Sequence, residues 1–341
     1  MFTPGEIGFG RWPSAVIGIA VFVAACRAGE PVSVLSRELS AARVDASRNV
    51  WSYQILPSLS LSPTSTKTMD INDYGVVVGS SSSNAVKWVS GSIAVLPGRE
   101  AVAINNAGDV VVNYGFGGSN VYLLRASGFN QNLSPAFRVA ADMNETGTVV
   151  GQGSGHCAVR WSIGTGYQSL PCPSHLHPEA EALAVNANGY AVGWASMGGV
   201  TDPAYAATWN PSGSFSALGA FYAGGTIATG INAASVIVGW TCCSAGGSRA
   251  FGWWWYSGFV DLGFDCAEAS DVSDKDRIVG KHKPHCAGPE LPFTSRQGVW
   301  TTLPTPGGIG GRADAVNACG QVAGVLNDGR PVIWTPWSCD L

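Results

Sequence analysis

The chain has 341 residues, a formal net charge of −4 and only 12% charged residues, so polar surface must come from Ser, Thr, Asn and Gly. That length suits one large β domain plus an export segment. There is no basic stripe and no interleaving of Arg with aromatic residues, which argues against nucleic acid as a partner.

The N-terminus reads as an export signal. Arg11 and Trp12-Pro13 precede an apolar run from Ala15 to Ala25. The run has the length of a signal-peptide core and is too short to span a membrane as a mature helix. It ends in "VAAC", Val23 to Cys26, which resembles a bacterial lipobox. Small residues there admit a peptidase, and the Cys26 thiol would accept diacylglycerol. An ordinary signal peptide that happens to end in Cys is the competing reading. Residues 1–25 are therefore expected to be a lipoprotein-type signal peptide. Residues 26–50 are expected to form a tether with a short helix around Ser36–Val44. The expected location is outside the cytoplasm, as a membrane-anchored lipoprotein or an extracellular protein.

From residue 51 onward the chain repeats. "WSYQILPSL", residues 51–59, stands alone and looks like a single strand ending in Leu56-Pro57. "DINDYGVVVG", residues 70–79, then opens a phrase that returns six times. Its Asn is Asn72, Asn105, Asn144, Asn186, Asn232 and Asn317, with Ser273 in the sixth copy. Three residues later stands Gly75, Gly108, Gly147, Gly189 or Gly320, with Ser235 and Asp276 in copies five and six. A second Gly closes the β-branched run in every copy but the second, which ends at Asn113. An Ala-x-x-Trp or a relative of it follows, then a turn and a piece ending in Leu.

The physics of the phrase predicts strands. Asn favours the first position of a type I turn and Gly the fourth. Flanking alternating or β-branched runs are strand-like. Asn-x-x-Gly is thus a hairpin between strands a and b, Ala-x-x-Trp is strand c, and the piece ending in Leu is strand d. Four short strands in about 40–45 residues make one propeller blade. A calcium loop is the competing reading of "DINDYG", but no Glu follows at EF-hand spacing. Seven copies predict an all-β, seven-bladed β-propeller of four-stranded blades over residues 51–341. The seventh copy stops after strand c at "PVIWTPWSCDL". Residues 51–59 would supply the missing strand d, so an N-terminal strand should complete the last blade and bury both edges.

The pattern A-x-x-I-N-x-x-G-x-V-V-G, then A-x-x-W, then G-x-x-x-x-L, resembles the HAF-type extracellular repeat of predicted secreted bacterial proteins. The resemblance covers nearly all of residues 51–341, with copies two, five and six departing as described. It implies a secreted repeat protein and no particular activity.

Without Cys26 eight cysteines remain. An even count in an exported chain suggests disulfides. In a blade, b–c and d–a loops emerge on one face, and a–b and c–d turns on the other. That topology favours Cys157 with Cys172, Cys319 with Cys339, and Cys266 with Cys286 or Cys243. Cys242 and Cys243 could instead bridge each other. His156, His175, His177, His282 and His285 all map to the b–c/d–a face beside cysteines. A transition-metal site is one reading, since imidazole and thiolate are its usual ligands. Loop histidines beside structural disulfides is the favoured one, because oxidised cysteines cannot ligate.

No catalytic motif or cofactor motif is present: "GGIGGR" lacks the Lys-Ser/Thr of a phosphate loop. The aromatic run "AFGWWWYSGF" is read as packing rather than as a carbohydrate platform. The expected function is a surface binding or scaffolding module, with an unknown glycan or protein ligand on the b–c/d–a face and membrane attachment through the lipid. The alternative is an extracellular enzyme of glycan or phosphate chemistry with acids at the channel mouth. Asp70, Asp142 and Asp271 recur two residues before the Asn position, and their direction decides between a carboxylate ring and a turn-stabilising role.

Overall fold

The structure is a computed structural model. It describes residues 51–60, 65–115, 120–134, 136–172, 179–196, 204–219, 225–243 and 247–340; for 242, 243, 264 and 265 only the backbone is described. Cys26, the apolar run, the tether with its helix at 36–44, His175 and His177 lie outside the described residues.

Strands β1–β28 form seven antiparallel four-stranded sheets arranged as blades of a propeller. Strand β1 is Trp51–Ile55. The innermost strands a are β2 (Lys67–Ile71), β6 (Glu100–Ile104), β10 (Phe137–Met143), β14 (Glu179–Val185), β18 (Thr226–Ile231), β22 (Ala267–Val272) and β26 (Gly311–Val316). The last strand is β28 (Pro331–Pro336). With β27 at Val322–Leu326, blade seven runs in the order β1-β28-β27-β26, with Trp51 opposite Pro336 and Ile55 opposite Val332. The first strand of the propeller is therefore the outer strand of its last blade, as the missing strand d requires.

The core is distributed rather than central. Each blade buries both faces, so strand b needs apolar or small residues at successive positions; Val77–Ser81 is buried throughout. Seven hydrophobic clusters result, one at each junction between neighbouring blades. The junction of blades seven and one packs Leu56, Ala315 and Ala323 against Ile71, Val86 and Trp88.

The Trp of strand c and the Leu-Pro after strand d belong to one device. Trp88 Nε1 donates to Pro57 O at 2.7 Å, Trp209 Nε1 to Pro171 O at 3.0 Å, and Trp334 Nε1 to Pro304 O at 2.7 Å. In each case the Leu before that Pro is buried in the same cluster as the Trp. The outer half of each of these blades is thereby fastened to its predecessor.

The two glycines have different causes. Gly75 has φ +73 and its N–H bonds Asn72 O at 3.0 Å, closing the turn. The later glycine answers a bulge. Strands a and b shift register at the same place in all seven blades, as between Thr68 and Asp70 or Ala182 and Ala184. A Cβ on Gly79 would lie 2.0 Å from Lys67 O, and one on Gly193 would lie 1.9 Å from Glu181 O. No side chain fits there. Blade two departs, because Val112 rather than a glycine stands opposite Ala101, with Asn113 one residue further.

Candidate functional site: the channel and its two mouths

The repeated Asn is the inner fastener between blades. Its Oδ1 holds its own a–b turn: Asn186 Oδ1 accepts the N–H of Asn188 at 3.1 Å and of Tyr190 at 2.9 Å. Its Nδ2 donates to the backbone carbonyl at the same position one blade on. Asn72 reaches Asn105 O at 3.2 Å, Asn144 reaches Asn186 O at 2.9 Å, and Asn186 reaches Asn232 O at 3.0 Å. Asn232 reaches Ser273 O at 3.1 Å, and Asn317 reaches Asn72 O at 2.9 Å. Only a side chain with both an acceptor and a donor can do both jobs. All six Asn are buried. Ser273 keeps the turn half, accepting the N–H of Lys275 and Arg277, and has no amide for the other half.

The three aspartates face the channel. They line a cavity at the a–b/c–d mouth of about 200 Å³, together with Asp73, Glu145 and Asp274. Among the described residues no Lys, Arg or His lines it. Each Asp bridges two backbone N–H groups, its own successor and one in the next blade. Asp70 accepts from Ile71 and Ile104 at 2.7 Å each; Asp142 from Met143 at 2.7 Å and Val185 at 2.8 Å; Asp271 from Val272 at 2.7 Å and Val316 at 2.9 Å. They serve neither as a free carboxylate ring nor in the a–b turn: they clamp blades. Asp271 thereby fastens blade six to seven, where Ser273 cannot.

Enclosure by the strands raises these acids. Burial, with repulsion from Asp142, pushes the Asp70 carboxyl up to about 8, and burial pushes Asp142 up to about 6. Asp271 is raised by burial as well. Deeper in, the bulge residues Met69, Val102, Leu183 and Asp314 narrow the channel to a cavity of about 100 Å³. Asp314 accepts from Thr68 Oγ1 at 2.6 Å and from Arg312 Nε at 2.7 Å.

The b–c/d–a mouth differs in charge. A cavity of about 510 Å³ opens there between blades one, two and three. Among the described residues Lys67, Arg99 and Arg138 line it with one carboxylate, Glu100. Lys67 Nζ pairs with Glu100 Oε1 at 3.1 Å, an exposed pair of small energetic weight. Arg138 Nη1 donates to Gln152 Oε1 at 3.0 Å and meets His156 Nδ1 at 3.1 Å.

Three disulfides join Cys157 to Cys172, Cys266 to Cys286, and Cys319 to Cys339, with Cα separations of 5.6, 5.1 and 4.3 Å. The first two lie on the b–c/d–a face and the third on the opposite one. Cys243 ends strand β19 (Ile237–Cys243) and does not share the Cys266 bridge. The third bridge carries Asp340 back onto blade six, where Arg277 Nη2 meets it at 2.7 Å and Arg296 Nη1 at 2.8 Å. The guanidinium of Arg277 also lies over the Trp51 ring, 5.2 Å from its centroid. This clamp gathers both ends of the described chain, and composition offered no signal for it.

The three described histidines are scattered. His156 holds Arg138, His282 is buried against Phe293, and His285 sits in a turn beside the bridged Cys286. Among the described residues no three His, Cys, Asp or Glu side chains gather as a metal site. The aromatic run divides: Trp253 packs into the junction of blades four and five, while Trp255 and Tyr256 are exposed at the c–d turn.

No family model matches the chain, and no curated protein matches it in sequence. Solved structures do resemble it. A catalytically inactive virginiamycin B lyase from Staphylococcus aureus, with quinupristin, aligns at TM-score 0.57 and 10% identity, over 84% of this chain and 99% of that one. The extracellular domain of a one-component system from B. thetaiotaomicron aligns at 0.54 and 6% identity, over 83% of this chain and 39% of that one. YCF48 bound to D1 peptide aligns at 0.52 and 11% identity, over 84% and 97%. At such identities the likeness is one of fold, and with the seven closed sheets it makes this chain a seven-bladed β-propeller.

Proposed function

We propose that the chain is an exported binding module, a HAF-type repeat propeller that is lipid-anchored at Cys26 and takes its ligand on the b–c/d–a face. The observation that carries this is the 510 Å³ cavity on that face, a size suited to a small ligand or a glycan end. Three disulfides suit an oxidising compartment. Strand β1 enters the propeller at the opposite face, where Trp51 pairs with Pro336. Asp70, Asp142 and Asp271 at the other mouth have both oxygens bonded to backbone N–H groups, so catalysis by those acids is the weaker reading.

Two measurements test the proposal. Cys26→Ser should abolish acyl labelling and release the protein from membranes; unchanged fractionation, with no lipid on the wild type by intact mass, removes the anchor. A glycan and protein array probed with the full chain should give hits that Ser65→Trp, at the exposed cavity rim, abolishes. Hits unaffected by that substitution would move the ligand off this face.

A further inference from the structure

The cavity at the b–c/d–a mouth contains one side chain arranged for a ligand. Among the described residues Arg138 uses only Nη1, holding Gln152 Oε1 and His156 Nδ1. Its Nε and Nη2 have no hydrogen-bond partner among the described residues. Those two nitrogens form the edge of a guanidinium that grips a carboxylate side-on, with two parallel N–H bonds. The same chain shows that edge filled elsewhere: Arg277 presents Nε and Nη2 to the two oxygens of Asp340.

Arg138 is also held in place before any ligand arrives. His156 has φ +63, its N–H bonds Gly153 O at 3.0 Å, and its carbonyl accepts the Ala180 N–H at 2.9 Å. The next residue is Cys157, bridged to Cys172. Gln152 is anchored in turn, its Nε2 reaching His156 O at 3.3 Å and Ala180 O at 3.4 Å. A side chain fixed this way loses little freedom on binding, which is how preorganisation raises affinity. Burial holds the nearby Glu181 carboxyl above its ordinary range, with Trp194 and the charge of Arg138 pulling it back in part.

The rest of the wall selects the kind of anion. Lys67 and Arg99 add positive charge against the single Glu100. Ser65, Ser80 and Ser83 offer hydroxyls, and Val139 adds a branched apolar side chain. That lining suits a compact ligand rich in hydroxyl groups and bearing a carboxylate.

We propose that this cavity binds a uronic acid residue of an acidic glycan, its carboxylate held side-on by Nε and Nη2 of Arg138. The proposal rests on the reading of the b–c/d–a face as the ligand face. Calorimetry on the full chain in detergent tests it with four probes: a galacturonate trimer, the neutral galactose trimer, a sulfated galactose trimer and polyglutamate. The galacturonate trimer should bind, and the neutral trimer should not. Arg138→Lys keeps the charge and loses the fork, so it should weaken galacturonate binding about tenfold or more. Arg138→Ala should abolish it, with the melting temperature confirming that both variants fold. Galacturonate failing to bind, equal binding of the neutral trimer, wild-type affinity in Arg138→Lys, or preference for the sulfated trimer or polyglutamate would each overturn the proposal. An array hit that Ser65→Trp abolishes but that carries no carboxylate would leave the binding-module reading standing and sink only this one.

Discussion

Asn317 Nδ2 donates to Asn72 O at 2.9 Å across 245 residues of sequence. The ring is thus closed at its inner edge by the same bond that joins Asn186 to Asn232, as well as at its outer edge by β1 on β28. Asn is required because the two ends of its amide face two different blades. Asn186→Ser keeps the turn acceptor and loses the donor, as Ser273 does naturally. Asn186→Ala loses both. Buried hydrogen bonds lost this way cost about 1–3 kcal/mol each. Urea unfolding should rank wild type above Asn186→Ser above Asn186→Ala, and equal midpoints for the two variants would deny the two-ended role.

Removal of residues 51–58 takes away all of β1 together with Leu56 and the carbonyl that accepts from Trp88. The truncated chain should expose the edge of β28 and lose the cluster between blades seven and one. A lower melting temperature or aggregation on light scattering is expected. An unchanged monomeric melt would mean that closure does not depend on this strand.

The channel acids make stability depend on pH. Asp70 and Asp142 carry raised values in the folded state, so the folded protein binds protons that the unfolded chain has released above the ordinary aspartate value of 3.8. The unfolded state then binds fewer protons, and stability falls as pH rises. The stability of the protonated forms is lost through about 6 for Asp142 and about 8 for Asp70. Calorimetry should show the melting temperature dropping from pH 5 to pH 9, with a flatter profile in Asp70→Ala. A melting temperature that climbs over that range contradicts the assignment.

Ser235 occupies the turn position that glycine holds in five blades, at φ +62. A side chain there costs about 1–2 kcal/mol over glycine. Ser235→Gly should therefore raise stability by about 1 kcal/mol. Asp276→Gly at φ +58 should gain less, because Asp276 Oδ1 accepts from Asn232 Nδ2 at 2.7 Å. Thermal melts of the two variants decide it, and a loss of stability in Ser235→Gly would refute the strain argument.

The Cys157–Cys172 bridge spans 15 residues. Its removal by a Cys157→Ser, Cys172→Ser pair should cost about 3 kcal/mol in the chain-entropy account. Because His156 adjoins the bridge and holds Arg138, loosening of the b–c/d–a mouth should accompany the loss. Hydrogen exchange at 153–158 should rise in the double variant; unchanged protection there would confine the bridge to a global role.

The number of blades, the identity of strands a to d and the closing strand were all legible in the chain, because each blade repeats one local pattern. Asn-x-x-Gly writes a turn wherever it occurs, and a strand missing at one end with a spare at the other has one place to go. The bridge of Cys157 to Cys172 was legible for the same reason, since the loop topology puts both on one face of one blade. The direction of Asp70, Asp142 and Asp271 was not. It depends on a bulge in strand a, and the bulge is visible only through the carbonyl that forbids a Cβ at Gly79 or Gly193. Nor could the spacing show that the Asn amide reaches the next blade, since that bond exists only once two blades are packed side by side. Arg138 carried no mark at all in the sequence. Its open edge results from Gln152 and His156 occupying its other nitrogen, a relation between strands a and b of blade three and their b–c hairpin that only the register of that sheet decides.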